Sequence, residues 1–271
     1  MSSKTLRFGL HDFLNAQPLL VPLLKRAEKA GIEMVIDVPS QLAEMMNSQT
    51  LDLAMIPTVE YLRRAESYRL VEGVCIASRD KVGTVLLISQ VPVQEIKTLA
   101  LDERSRTSVA LLKILFAKRF SPEILFDPSP PDPEAMLEAH DAALIIGDQN
   151  FSLPSLSKET EIYDLSEDWF LKTKKPFVHA VLAVRAGVSL EKEICDVIQS
   201  ARHEGLQNLP AIVKDFAEPR GLDLGVCEDY LQHKIIYDIG EQELEGMKLF
   251  QELCYGQGLI PEKHPLRFVA V

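Results

Sequence analysis

The feature that most constrains the fold of this chain is an alternation of short apolar strands and amphipathic helices. In the first run, strand patterns at Leu6–Leu10, residues 33–38 and residues 53–56 are separated by helical patterns starting at Pro18 and Ser40. Strands that alternate with helices are normally connected by right-handed crossovers, so this order predicts a parallel sheet covered by helices. The first part of the chain therefore predicts an α/β lobe.

A second run of the same kind begins near residue 90 and mirrors the first. Its strand and helix patterns lie at residues 98–101, 108–120, 124–126, 132–139 and 142–146. Between the two runs, residues 71–78 and 82–89 are predicted as strands joined by a charged hairpin tip at residues 79–81. The apolar stretch at residues 177–184 is long enough to bring the chain back to the first lobe.

The rest of the chain after Gly187 is mainly helical in pattern. We predict helices and a final edge strand at residues 190–208, 210–216, 227–236, Glu241–Gly256 and 266–271. Two α/β units joined by two crossings are the plan of periplasmic-type binding proteins, with a ligand cleft between the lobes. We predict a discontinuous first lobe, residues 1–90 plus 184–271 with the C-terminal helices, and a second lobe, residues 91–183.

The charge of the chain limits its partners. With a formal net charge of −11 at pH 7, the protein has no overall field that attracts nucleic acid or an anionic membrane, so any anion must be bound locally. The four cysteines form no C-x-x-C pair and are predicted as free thiols in a reducing compartment. No apolar stretch is long enough to span a bilayer, and the N-terminus has no signal-peptide pattern, so we expect a cytoplasmic protein without a membrane partner.

The segment from Asp102 to Ser108 is the main candidate anion site. Here a strand ends, a polar loop follows, and a helix begins near Ser108. A helix N-terminus exposes unpaired N–H groups that suit a carboxylate or phosphate, and Ser105, Thr107 and Ser108 add three hydroxyls. Arg104 or Arg106 could add a charge-assisted bond. The alternative is that one of the hydroxyls simply caps the helix.

The corresponding turn of the first lobe offers Asn15, just before a helix that starts with proline. Ligands of open α/β sheets lie beyond the carboxyl ends of the strands, which is where this turn lies. Asn15 is therefore predicted either to contact a ligand or to cap the helix. His11 and Asp12 form a possible acid–base pair, but neighbours on an extended segment point to opposite faces.

Other candidate residues lie at Ser78, Gly83 and Thr84 and at Asp148. Gly83 allows a close approach of the backbone to a ligand, and Asp148 ends a buried strand where it either caps the next segment or reaches the cleft. The sequence has no P-loop, no H-E-x-x-H, no dinucleotide-binding glycine pattern and no nucleophile elbow. We therefore predict no cofactor and no metal.

Several longer motifs follow one another along the chain. An R-x-G-x-x-x-[YF]-L-N-x-x-P-L element is Arg7, Gly9, Phe13, Leu14, Asn15, Pro18 and Leu19. The I-P-[ST]-x-E-Y, L-D-x-x-S-R-T-S and I-G-D elements are Ile56, Pro57, Thr58, Glu60 and Tyr61, then Leu101, Asp102, Ser105, Arg106, Thr107 and Ser108, then Ile146, Gly147 and Asp148. In this order the motifs resemble those of one family, the chorismate dehydratases of the futalosine route to menaquinone, and the resemblance covers nearly the whole chain. It departs at Asp12 and Phe13, where many members carry a small residue and Tyr, and at His179, where members often carry an aromatic residue.

The resemblance implies a type II periplasmic-binding-protein-like fold and a hydro-lyase that converts chorismate to 3-[(1-carboxyvinyl)oxy]benzoate and water. It implies that Asn15, Thr84, Ser105, Thr107 and Ser108 line the site. With the other candidates, the predicted substrate-binding residues are Asn15, Thr58, Ser78, Gly83, Thr84, Ser105, Arg106, Thr107, Ser108, Asp148 and His179. The alternatives are a non-catalytic anion-binding protein or sensor, and the sister enzyme of the pathway that acts on cyclic dehypoxanthine futalosine.

The expected reaction needs little acid–base chemistry from the protein, because loss of water makes the substrate ring aromatic. We expect the protein to orient the dicarboxylate substrate and to stabilise developing charge. Our hypothesis is that the enolpyruvyl carboxylate of the substrate takes the ring proton while Asn15 and the hydroxyls hold that geometry. The alternative bases are Asp12, His11 and Asp148.

Overall fold

The chain folds around two separate β-sheets in a computed structural model that describes residues 5–153 and 160–269. The described strands are β1 (Leu6–Leu10), β2 (Ile32–Ile36), β3 (Leu53–Pro57), β4 (Tyr68–Ser78), β5 (Val85–Ser89), β6 (Thr98–Asp102), β7 (Leu125–Ser129), β8 (Ala142–Ile146), β9 (Glu161–Asp164), β10 (Phe177–Arg185) and β11 (Ile235–Ile236). The described α-helices are α1 (Gln17–Leu24), α2 (Pro39–Asn47), α3 (Thr58–Arg63), α4 (Thr107–Phe116), α5 (Pro133–Ala139), α6 (Leu165–Thr173), α7 (Lys192–Gln207), α8 (Leu209–Ala217), α9 (Leu224–Asp229) and α10 (Glu241–Gly256).

The two sheets share one plan. The first has the strand order β11-β4-β10-β3-β1-β2 and the second has the order β7-β6-β8-β5-β9. In the first sheet β1 pairs in parallel with β2 and β3, and in the second β6 pairs in parallel with β7 and β8. The strand that follows each crossing pairs antiparallel with a strand of the sheet it enters. In the first sheet β10 pairs antiparallel with β3, and in the second β5 pairs antiparallel with β8. The predicted two-lobed α/β fold, with its mirrored second run, is confirmed.

The hairpin predicted at residues 79–81 is wrong, because β4 and β5 belong to different sheets. Residues 79–84 instead carry the chain from the first sheet to the second. The return crossing lies between β9 and β10, so both crossings come several residues before the predicted divisions at 90/91 and 183/184. We propose to place the domain boundaries at these crossings, near residues 79–84 and 174–176.

Some helices differ from the sequence prediction at their ends. The segment predicted as one helix at residues 227–236 consists of the end of α9, a π-helical turn at Tyr230–Lys234 and the short strand β11. The helix ends there because β11 pairs with the end of β4. In the predicted C-terminal edge strand, Phe268 forms an isolated bridge with Leu70, and residues 270–271 lie outside the described residues.

The C-terminal helices pack on the first lobe. The closest contact joins α1 and α7, where a Cβ atom on Gly205 would lie only 1.6 Å from the carbonyl oxygen of Pro18. Only glycine allows this approach of two helices. Within the described residues, none of the helices combines the length and the apolarity needed to cross a membrane.

Candidate active site

A cleft of about 600 Å³, part of which is open solvent at its mouth, lies where the two sheets face each other. Its wall includes His11, just beyond the end of β1, and the loop that follows β6, so it lies at the carboxyl ends of the parallel strands. The predicted residues that line it are Asn15, Thr84, Ser105, Arg106, Thr107, Ser108 and His179. The cleft therefore brings together segments that lie far apart in the chain.

The N-terminus of α4 forms one wall of the cleft. The helix begins at Thr107, and no side chain caps this end with a hydrogen bond. The interpretation of the local hydroxyls as helix caps is therefore wrong. Ser105, Thr107 and Ser108 are each less than a tenth exposed and line the cavity. The wall thus offers a helix N-terminus and three hydroxyls, which is a suitable place for a carboxylate.

The two arginines of this loop are already paired with carboxylates. Arg104 donates to Asp102, with an Nη2–Oδ2 distance of 2.6 Å. Arg106 contacts Glu44 at 2.7 Å and Glu60 at 3.4 Å. Arg106 lines the cavity and is part of an ion-pair network with two carboxylates, which offset its charge, so its contact with a ligand stays a prediction. The polar groups of this loop outside these ion pairs include the hydroxyls of Ser105, Thr107 and Ser108 and the backbone N–H groups.

Asn15 faces the cleft and does not cap α1. The N-cap position of α1 is Ala16, and the end has no side-chain cap, so the capping interpretation of Asn15 is wrong. The Asn15 Nδ2 atom donates to the hydroxyl of Tyr230, at 3.1 Å. Its Oδ1 atom is buried and has no hydrogen-bond partner among the described residues. Asn15 therefore presents an unused acceptor at the cleft wall.

Two imidazoles also line the cleft, that of His11, which is buried, and that of His179, which is half-buried. Burial lowers the pKa of His11 to about 4 and that of His179 to about 4, so both rings are neutral near pH 7. His179 Nε2 shares a hydrogen bond with the hydroxyl of Ser78, at 2.8 Å, and a longer one with that of Ser166, at 3.4 Å. The predicted opposite orientation of His11 and Asp12 is confirmed, because His11 is buried and Asp12 is exposed.

Four predicted site residues do not line the cavity, so their contact with a ligand stays a prediction. Ser78 is buried behind His179 and holds its ring. Gly83 donates its N–H to Asp164, at 2.6 Å, and its φ of 80° explains the glycine. Thr58 is fully buried as the first residue of α3. Asp148 accepts a hydrogen bond from the backbone of Leu14, at 3.0 Å.

Tyr230 and Phe13 also belong to the cleft wall, although neither was predicted from the sequence as a site residue. Phe13 stacks under the guanidinium of Arg104, whose carbon lies 5.4 Å from the ring centre. Tyr230 comes from the C-terminal region and has no local pattern that points to a site. It reaches the cleft because β11, which follows it in the chain, pairs with β4 of the first sheet. In the part of the chain that the structure describes, no group of three or more His, Cys, Asp or Glu side chains is placed to hold a metal ion.

Comparison with known families and sequences gives consistent matches. A family model described as "Menaquinone biosynthesis" matches residues 6–256. The chorismate dehydratase of Thermus thermophilus is 30% identical over 262 residues, covering 90% of this chain and 93% of that protein. The chorismate dehydratase of Campylobacter jejuni is 27% identical over 253 residues, covering 91% of this chain and 96% of that protein.

Comparison with solved structures shows the fold. A protein of Archaeoglobus fulgidus has a TM-score of 0.77 at 18% identity, covering 96% of this chain and all of that chain. The alkanesulfonate-binding protein SsuA from Xanthomonas axonopodis pv. citri has a TM-score of 0.66 at 17% identity, with 96% of each chain covered. The described architecture is therefore that of the periplasmic binding proteins.

Proposed function

The chain belongs to the menaquinone biosynthesis family, and we propose that it is a chorismate dehydratase. In this proposal it is a hydro-lyase that converts chorismate to 3-[(1-carboxyvinyl)oxy]benzoate and water. The observation that carries the proposal is the cleft wall at the N-terminus of α4, where three buried hydroxyls lie beside a helix end without a side-chain cap. Chorismate has two carboxylates, and such a wall suits one of them.

Neutral donors suit this substrate because the protein is acidic overall. A carboxylate at the end of α4 would be held by backbone N–H groups, by the Ser105 and Ser108 hydroxyls and by that of Thr107. The Thr107 oxygen already accepts a hydrogen bond from the Val59 N–H, at 3.2 Å, which leaves its proton free to be donated. The site can therefore bind an anion without an unpaired cation of its own.

The protein side chains that could remove the ring proton are poorly suited to the task. His11 has its pKa lowered by burial to about 4 and is a weak base. Asp12 is exposed, and Asp148 is not part of the cavity wall. These placements support the hypothesis that the enolpyruvyl carboxylate of the substrate takes the proton. The C–O bond of the neighbouring ring carbon breaks as the new double bond forms, and the departing hydroxide combines with the proton that the carboxylate took, so that water is released and the carboxylate is restored. The protein orients the groups.

We further propose that the reaction belongs to the futalosine route to menaquinone and takes place in the cytoplasm. The pathway follows from the chorismate dehydratases that this chain resembles. The location is supported by the cysteines Cys75, Cys195, Cys227 and Cys254, which are all free and buried. Free thiols are typical of a reducing compartment.

The proposal is tested by incubating the purified protein with chorismate and following both compounds by liquid chromatography and mass spectrometry. We expect chorismate to disappear and an aromatic product lighter by one water to appear in equal amount. Chorismate that binds in calorimetry but is recovered unchanged would favour a binding protein or sensor. Turnover of cyclic dehypoxanthine futalosine instead of chorismate would favour the sister enzyme.

A further inference from the structure

The buried hydroxyl of Tyr230 in the cleft wall connects three segments of the described chain that lie far apart in the sequence. Its hydroxyl lies 3.1 Å from Asn15 Nδ2 and 3.1 Å from Thr84 Oγ1. The side chain is 1% exposed, and its ring packs edge-to-face against Phe151 at 5.2 Å between centroids. It is the first residue of the π-helical turn Tyr230–Lys234, a conformation that is frequent at functional sites.

Either oxygen of the Tyr230–Thr84 pair can be the donor, so the direction of this bond is set by where the Tyr230 proton can go. A phenol has one proton, and that of Tyr230 has no other acceptor among the hydrogen bonds of the described residues, so we assign it to Thr84. Thr84 then has its own proton free for the cleft. At the other end, the Asn15 Oδ1 atom is buried without a partner among the described residues. The arrangement offers the cleft one acceptor, on Asn15, and one donor, on Thr84.

We propose that Tyr230 is a positioning residue that fixes the rotation of the Asn15 amide, so that Oδ1 faces the substrate hydroxyl and the Thr84 hydroxyl faces a substrate carboxylate. This inference rests on the proposed function, because chorismate carries both kinds of group. Without the Tyr230 hydroxyl, the amide would be free to turn its NH₂ group into the cleft. The phenol stays protonated, since burial raises its pKa far above the ordinary value.

The chain offers a matched control for this hydroxyl. Tyr237 is also buried, at 7% exposed, and its hydroxyl has no hydrogen-bond partner among the described residues. Tyr230→Phe and Tyr237→Phe remove the same atom from similar burial. A loss found only in Tyr230→Phe therefore reports the contacts with Asn15 and Thr84 and not the loss of a buried hydroxyl in general.

The first test is a double-mutant cycle on chorismate turnover with Tyr230→Phe, Asn15→Ala and the double variant. We expect Tyr230→Phe to lower kcat about 10- to 100-fold with a smaller change in KM, as for misplacement of a reacting group. If Tyr230 acts through Asn15, the double variant loses no more than Asn15→Ala alone. Additive losses, or a Tyr230→Phe variant as active as Tyr237→Phe, would overturn the proposal while leaving the proposed function intact.

A second measurement does not depend on turnover. In protein with ¹⁵N-labelled asparagine, the side-chain NH₂ signal of Asn15 is assigned from its loss in Asn15→Ala. We expect Tyr230→Phe to shift this signal and Tyr237→Phe to leave it unchanged. An unshifted signal in Tyr230→Phe would contradict the positioning role. A shifted signal in a protein that leaves chorismate intact would uphold the contact and refute the proposed function.

Discussion

The carboxylate of Asp148 joins the two lobes by accepting a hydrogen bond from the backbone N–H of Leu14, at 3.0 Å to one oxygen and 3.2 Å to the other. Leu14 follows β1 of the first sheet, whereas Asp148 follows β8 of the second. The contact fixes the turn that carries Asn15 and connects it to the second lobe. It also keeps the carboxylate largely away from water, which raises its proton affinity.

Stability should depend on pH through Asp148. Burial raises its pKa from 3.8 to about 6, and nearby Asp12 adds to this, while the Leu14 N–H and the guanidinium groups of Arg220 and Arg104 oppose it. The folded protein therefore holds this proton more tightly than the unfolded chain. The contribution of Asp148 to the free energy of unfolding falls by about 3 kcal/mol in total as pH rises from 3.8 to about 6, and it stays constant above that pH.

Asp148→Asn tests this dependence because an amide oxygen can still accept from Leu14 but does not titrate. We expect the variant and the wild type to have similar unfolding free energies near the acid end of the window. At neutral pH the variant should be the more stable. Urea unfolding at several pH values measures the difference, and a difference that does not change with pH would rule out the raised pKa.

The packing of α1 on α7 should not tolerate a side chain at position 205. In Gly205→Ala the new methyl would overlap the Pro18 carbonyl, and we expect a loss of about 3 kcal/mol in unfolding free energy. Gly256, at the end of α10, is the matched control, because a Cβ there meets nothing within 4 Å. Gly256→Ala should gain up to about 1 kcal/mol. Equal urea midpoints for the two variants would refute the close helix contact.

The hydroxyl of Ser108 should contribute to substrate affinity. In Ser108→Ala we expect KM for chorismate to rise about tenfold, the value of one hydrogen bond to a charged group, with little change in melting temperature. Ser200→Ala, at an exposed position of α7, is the control and should behave as wild type. An unchanged KM in Ser108→Ala would show that the wall at α4 does not hold the substrate carboxylate.

The four thiols should react only slowly with reagents in the native protein. All are free and buried, and burial raises the pKa of Cys254 to about 12, so almost no thiolate is available. We expect a thiol reagent to react slowly with folded protein and to count four thiols once urea unfolds it without reductant. A lower count would reveal a disulfide and contradict the proposed reducing compartment.

The strands and helices whose formation depends mainly on residues close to them in the sequence were predictable. Apolar runs and helical periodicity located β1, β8 and α10 at their observed bounds, and the strand–loop–helix pattern after residue 101 located the loop and the start of α4 that line the cleft. The pairing of distant segments was not predictable in the same way. The charged residues 79–81 are typical of a hairpin, but in the structure β4 pairs with β10 and not with β5. The strand β5 belongs to the second sheet.

The chemistry of the site was predictable only in part for the same reason. The hydroxyls near Ser108 follow from local spacing. The carboxylates that pair with Arg106 come from α2 and α3, and the hydroxyl that holds Asn15 comes from Tyr230, 215 residues further along the chain. Contacts of that separation depend on the whole topology, so a local pattern could not reveal that the arginine was already paired.

A crystal structure of Asn15→Ala soaked with chorismate tests the central claim most directly. We predict that the ligand fills the cleft between the sheets, with one carboxylate within hydrogen-bond distance of the Ser108 hydroxyl and of the backbone N–H groups that begin α4. Electron density for chorismate at any other place, with the cleft empty, would contradict the account.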